Sequence, residues 1–145
     1  MTKETTKTDP GWRLLEHTAD VRMAVYGGTL EELFLNAARG FTSLLVPETQ
    51  GHPEIELELS LLADDIEELL VDWLRELLYY HQTKAFILIS ADIQDLSDTS
   101  LKAKLAGRTR GPDEEPEIEI KGVTYHAVSV EKNDIGYAVT IVFDI

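Results

Sequence analysis

Two short stretches hold residues whose types suit chemistry. Glu16-His17-Thr18-Ala19-Asp20 gathers an imidazole, a hydroxyl and two carboxylates within five residues. At the far end stands Phe143-Asp144-Ile145, where the α-carboxylate of Ile145 adds two oxygens one residue beyond Asp144. Carboxylates drawn together repel one another, and a hard cation such as Ca²⁺ or Mg²⁺, which takes oxygen ligands, relieves that repulsion. The expectation is therefore that the early corner meets the chain's end and holds a divalent ion through Asp20, Asp144 and Ile145. The ordinary alternative is that Asp20 only caps a turn and Asp144 stands in solvent. His17 beside a carboxylate suits general acid–base work, or equally a hydrogen-bonded turn histidine. No nucleophile motif accompanies it, since the sequence lacks cysteine, GxSxG and HExxH. His52, His81 and His126 stand singly, without metal-ligand spacing.

Two strands must position the first cluster. Trp12 to Leu15 is an extended apolar run, and Val21, Met23 and Val25 alternate with Arg22, Ala24 and Tyr26, the period of a half-buried strand. Gly27-Gly28 turns the chain toward a helix; it lacks a phosphate-loop pattern, and Glu31 and Glu32 oppose an anion there. Thr29 with Glu32 reads as a capping box. Leu33, Phe34, Ala37, Ala38, Phe41, Leu44 and Leu45 recur at helical spacing, so a helix is expected over 30–45, stopped by Pro47.

Residues 54–61 alternate Ile55, Leu57, Leu59 and Leu61 with Glu54, Glu56, Glu58 and Ser60, a strand with one buried and one acidic face. An Asp64-led cap with Glu67 opens a second helix, whose stripe runs Ile66, Leu69, Leu70, Trp73, Leu74, Leu77 and Leu78. Strands are expected over 85–91, 101–106, 123–130 and 137–143. Between them, 107–116 reads as a mobile loop by its composition, and 133–136 as a turn. In the last strand Asp144 shares a face with Ala138, Thr140 and Val142, an odd place for a charge unless the strand end opens into a site. The pattern predicts one α+β domain over 11–145, largely antiparallel sheet packed with two amphipathic helices, behind a polar flexible leader over 1–10.

Thirteen Lys and Arg stand against 27 Asp and Glu, a formal charge of −14. Such a surface repels phosphate backbones, so direct tight nucleic-acid binding is not expected, whereas a basic protein partner or a divalent cation is. Without cysteine, disulfides and thiolate metal sites are excluded. Neither a signal-peptide h-region nor a membrane-length apolar run occurs, which leads to the expectation of a cytoplasmic protein without membrane contact.

Five separated motifs together resemble the archease family. They are Glu16-His17-Thr18-Ala19-Asp20, Leu30-Glu31-Glu32-Leu33-Phe34 with Ala37-Ala38, Leu69-Leu70-Val71-Asp72-Trp73-Leu74, Lys121-Gly122-Val123-Thr124-Tyr125-His126, and Phe143-Asp144-Ile145. The resemblance covers nearly the whole chain after the leader. It implies an α+β protein, not itself an enzyme, that activates the RtcB-type, GTP-dependent RNA-splicing ligase in tRNA maturation, promoting ligase guanylylation and multiple turnover. It further implies a divalent metal, most often calcium, with magnesium or manganese as alternatives, held by Asp20, Asp144 and the carboxylate of Ile145. Lys121 matches a motif position and is a further candidate, as is His17. Two competing functions remain: a stand-alone metal-dependent phosphoester hydrolase, and a metal-free, chaperone-like binding module.

Overall fold

The computed structural model describes residues 10–15, 20–47, 51–116 and 118–145. The expected leader therefore falls almost wholly outside the described residues, as do Glu16 to Ala19 with His17. Among these described residues eight strands and two helices follow in order: β1 (Trp12–Leu15), β2 (Asp20–Gly27), α1 (Leu30–Leu45), β3 (Ile55–Leu62), α2 (Ile66–Lys84), β4 (Phe86–Leu96), β5 (Ser100–Thr109), β6 (Gly122–Thr124), β7 (Glu131–Asn133) and β8 (Gly136–Asp144). The first sheet runs β1-β2-β8-β6, with β7 also on β8; the second runs β3-β5-β4. All pairs are antiparallel. The α+β class expected from the sequence is what the chain adopts.

Both helices fill the space between the sheets. Helix α1 touches β1, β2 and β8 on one side and β4 on the other, while α2 touches β6 on one side and β3, β4 and β5 on the other. A helix pressed from two sides needs apolar residues around most of its circumference, and α1 buries ten of its sixteen residues. Gly40 permits the close approach of α1 to β2, because a Cβ there would sit 2.5 Å from the Met23 sulfur. The two helices are joined where the Trp73 indole donates to the Phe34 carbonyl at 2.9 Å. Trp73, Phe34, Phe41, Met23 and Phe143 are among the fully buried side chains.

The first cap forms nearly as the sequence suggests. Glu32 N–H donates to Thr29 Oγ1 at 3.1 Å, and Glu32 reaches back to Gly28 N–H rather than to that of Thr29. For α2 the cap moves one residue: Asp65, not Asp64, accepts from Glu68 N–H at 2.8 Å, and Glu68 reaches back to Asp64 N–H. Neighbouring acidic residues made either register plausible; the burial of Leu69 and Leu70 fixes it.

Two expectations for the later chain are corrected. The 107–116 segment is not simply a loop: Gly107 to Thr109 continue β5. Beyond them Glu114 is fixed by two contacts from Arg108 at 2.7 and 2.8 Å and by Gly111 N–H at 2.7 Å. Residues 123–130 are likewise not one strand. Strand β6 ends at Thr124, and Ala127 takes a left-handed φ of 62° that no strand contains.

Candidate functional site

Strand pairing brings the two ends together. Asp20 opens β2, Asp144 closes β8, and the two are direct partners across the antiparallel ladder. Direct partners point to the same face, with Cβ atoms about 4.5–5.5 Å apart. That face is the outer one: Val21, Met23, Val25, Val139, Ile141 and Phe143 point inward, and the alternate residues point away from the helices. The inward residues hold the site in place, as where the Phe143 ring packs 5.7 Å from that of Phe41. The next strand continues the row, for Gly122 on β6 is the partner of Asp144. A Cβ at Gly122 would lie 3.5 Å from Asp144 Oδ2, so the carboxylate leans over a position without a side chain.

The two carboxylates differ in exposure. The Asp20 side chain is 22% exposed, with Oδ1 itself buried, whereas Asp144 is open to solvent. Like charges placed directly opposite in a sheet destabilise it. Arg22, two residues along the same face, answers part of that charge: its Nε lies 3.9 Å from Asp20 Oδ1.

Of the other candidates, Lys121 is exposed and its backbone N–H donates to the Asp144 carbonyl at 2.7 Å, tying the β6 edge to the end of β8. Ile145 follows directly and is 38% exposed. His17 lies outside the described residues. Asp20, Asp144, Gly122, Lys121 and Ile145 thus gather at one end of the first sheet. Among the described residues no three His, Asp or Glu side chains gather as a metal-ligand group. A divalent ion here would draw on two carboxylate side chains and the Ile145 carboxylate. Those are hard oxygen donors, a set that fits Ca²⁺, Mg²⁺ or Mn²⁺ rather than a thiolate metal.

The remaining motif residues serve the scaffold. Arg75 Nε donates to the Val123 carbonyl at 3.0 Å, anchoring β6 to α2, and stands 3.7 Å from Asp72. Burial raises the Asp72 pKa above its ordinary value. The Tyr125 hydroxyl lies 3.2 and 3.3 Å from the two carboxylate oxygens of Asp65 at the α2 N-terminus. At the end of α2, His81 is buried, with Nδ1 3.3 Å from the Phe86 carbonyl and Nε2 3.5 Å from Arg110 Nη1. It lines a cavity of about 700 Å³ with Lys84 and Arg110. Burial, reinforced by Arg110, lowers its pKa, and the Phe86 carbonyl opposes the shift. The neutral ring with Nδ1–H donating satisfies both neighbours. Sequence reasoning missed Arg22 and Gly122 as parts of the carboxylate site. Their only signal was shared strand parity with Asp20 and Asp144, which carries meaning only once the register is known.

Residues 12–145 match the model of the Archease protein family (MTH1598/TM1083). The chain is 36% identical over 139 residues to the protein archease of Methanosarcina mazei, covering 92% of this chain and 95% of that one. It is 36% identical over 137 residues to that of Archaeoglobus fulgidus, covering 92% and 98%. The solution structure of Methanobacterium thermoautotrophicum protein 1598 superposes with a TM-score of 0.79 at 26% identity, over 94% of this chain and all of that one. The crystal structure of a Thermotoga maritima archease, described as a possible chaperone, shares the fold with a TM-score of 0.64 at 21% identity, over 99% of this chain and all of that one. With five motifs in order and the fold in common, the chain belongs to the archease family.

Proposed function

We propose that this protein is a non-catalytic activator of a GTP-dependent RNA-splicing ligase of the RtcB type, acting in tRNA maturation by promoting ligase guanylylation and turnover. The observation that carries the reading is the pairing of Asp20 with Asp144 across β2 and β8. Those two carboxylates and that of Ile145 would hold the divalent cation, calcium by preference. When bound, the ion supplies positive charge that offsets developing negative charge on phosphate oxygens. The chain's residues do the rest by position. Phe143 and the inward side chains of β2 and β8 fix the strand ends, so the carboxylates are presented on a rigid edge rather than on a loop. In this reading Lys121, exposed and tied through its backbone N–H to the Asp144 carbonyl, would meet an anionic group of the partner.

Charge favours the partner's protein surface over its RNA. At −14 the domain is drawn to the basic surface of an RNA-handling enzyme and repelled by RNA itself. The test is ligase guanylylation in the presence of Asp20→Ala or Asp144→Ala protein that folds as the parent does. Loss of stimulation is expected; full stimulation by both variants overturns the reading. The description of the Thermotoga maritima relative favours a second reading, a chaperone-like module that binds clients without metal. It predicts that chelation and the same two substitutions leave client binding intact.

A further inference from the structure

Arg22 is the residue at this end of the sheet that neither the motifs nor the proposed cation explains. It shares the outer face with Asp20 and Asp144, and its direct partner is Val142. That places it beside Asp20 on its own strand and diagonal to Asp144, about 7–8 Å away between Cα atoms, within reach of a long side chain. Its Nε stands 3.9 Å from Asp20 Oδ1, and its side chain is 46% exposed. Its other lateral partner, Leu15 on β1, offers it no charge. In a chain carrying twice as many acidic as basic residues, a guanidinium beside two opposed carboxylates has one evident electrostatic task.

We infer that Arg22 is a built-in counter-ion for the Asp20–Asp144 pair, and that it competes with the divalent cation for Asp20. The inference rests on the metal-binding reading above and adds to it a residue that sets cation affinity. Without the cation, the guanidinium offsets the repulsion between the strand ends. With the cation, the positive charge beside Asp20 is no longer needed and opposes binding. Arg22 is thus a positioning residue that weakens the site it protects. It would tune the site to respond to cation concentration rather than stay permanently filled.

Calcium titration by calorimetry on the whole chain tests this, with four variants. Arg22→Gln is expected to tighten calcium binding about two- to fivefold, the range of a partly exposed ion pair. Arg22→Lys keeps the charge and should stay within twofold of the parent. Arg13→Gln removes the same charge from the same face, opposite Ala24 and farther from Asp20, and should also stay within twofold. Asp20→Asn should abolish or greatly weaken binding in every background. The inference is overturned if Arg22→Gln binds calcium no more tightly than the parent, or if Arg22→Lys or Arg13→Gln tightens binding as much. If the parent binds calcium and Asp20→Asn does not, such a result removes the role of Arg22 and leaves the metal reading standing. If neither the parent nor Arg22→Gln binds calcium, both fall together.

Discussion

On the outer face of the three-stranded sheet, Lys104 is the direct partner of both Glu58 and Asp92, and Lys102 is opposite Asp95. At one end of the five-stranded sheet, Asp20 is opposite Asp144. The same cross-strand rule applies to both: opposite charges side by side stabilise a sheet, like charges destabilise it. One sheet obeys the rule along its length. Among the described residues the other violates it at a single pair, beside a residue without a side chain and at the end of the β2–β8 ladder. Where a protein keeps an arrangement that costs stability, that place is a candidate functional site. The acidic surface alone would not have pointed there, because most of its carboxylates are solvated or paired with a neighbouring cation.

The sharpest way to break the contrast is to remove one carboxylate. If the site binds calcium, Asp20→Asn should weaken that binding by at least about tenfold, ~1.4 kcal/mol, and abolish the calcium-dependent rise in melting temperature expected of the parent. An unchanged calcium-dependent rise would reduce the pair to ordinary surface charge. Next in size, Lys104→Glu would place three carboxylates side by side on the second sheet. It should cost about 1 kcal/mol in urea denaturation while leaving calcium affinity within twofold. A second sheet that tolerated this without loss would mean that its charge ladder does not matter.

Acid sensitivity should come from two other groups, His81 and Glu114. The His81 pKa is lowered by burial and by Arg110, so its unfolded form, which protonates near 6.5, binds more protons than the folded one. Stability from this site is complete above pH 6.5 and is lost as the pH falls through that value toward the lower folded pKa. The hydrogen bonds from Arg108 hold the Glu114 pKa down to about 2, against 4.5 ordinarily, and Gly111 N–H assists. Its contribution is present above 4.5 and is lost between there and about 2. Melting temperatures followed from pH 7.5 to 3 should fall in both ranges. His81→Gln should flatten the upper fall and Glu114→Gln the lower. If both variants keep the parent's slopes, these groups do not govern acid stability.

The smallest effect concerns Gly122. An added Cβ would meet Asp144 Oδ2 at 3.5 Å, an ordinary contact. Gly122→Ala should therefore gain about 0.5 kcal/mol from the stiffer unfolded chain and leave calcium affinity within twofold. A tenfold loss of affinity would show that the bare backbone itself is needed beside Asp144.

Helices were legible because their signals are local. Thr29 with Glu32 and the apolar spacing through Leu45 located α1, and the stripe through Leu78 located α2. The Asp64–Asp65 ambiguity lay beyond periodicity, since either aspartate can accept from an N–H three residues on. The segment after Thr109 read as mobile because Gly, Pro and acidic residues are counted there without their partners. Arg108, six residues before Glu114, is what orders it. The 123–130 strand failed at Ala127, whose left-handed backbone has no signature in an alanine.

By itself the sequence determined the residue types of the site, the strand parity that puts Asp144 on the face opposite to that of Val139, Ile141 and Phe143, the helical stripes and the family motifs. These depend on neighbours within a few positions or on recognisable words, and they survive in a linear string. Only the tertiary structure decided that position 20 faces position 144, that Gly122 lies beside them and that Arg22 leans toward Asp20. Each depends on strand register, where a slip of one residue reverses every side chain. The register is fixed by burying Met23, Ile141 and Phe143 against the helices, and the β2–β8 pairing it sets joins residues more than a hundred positions apart.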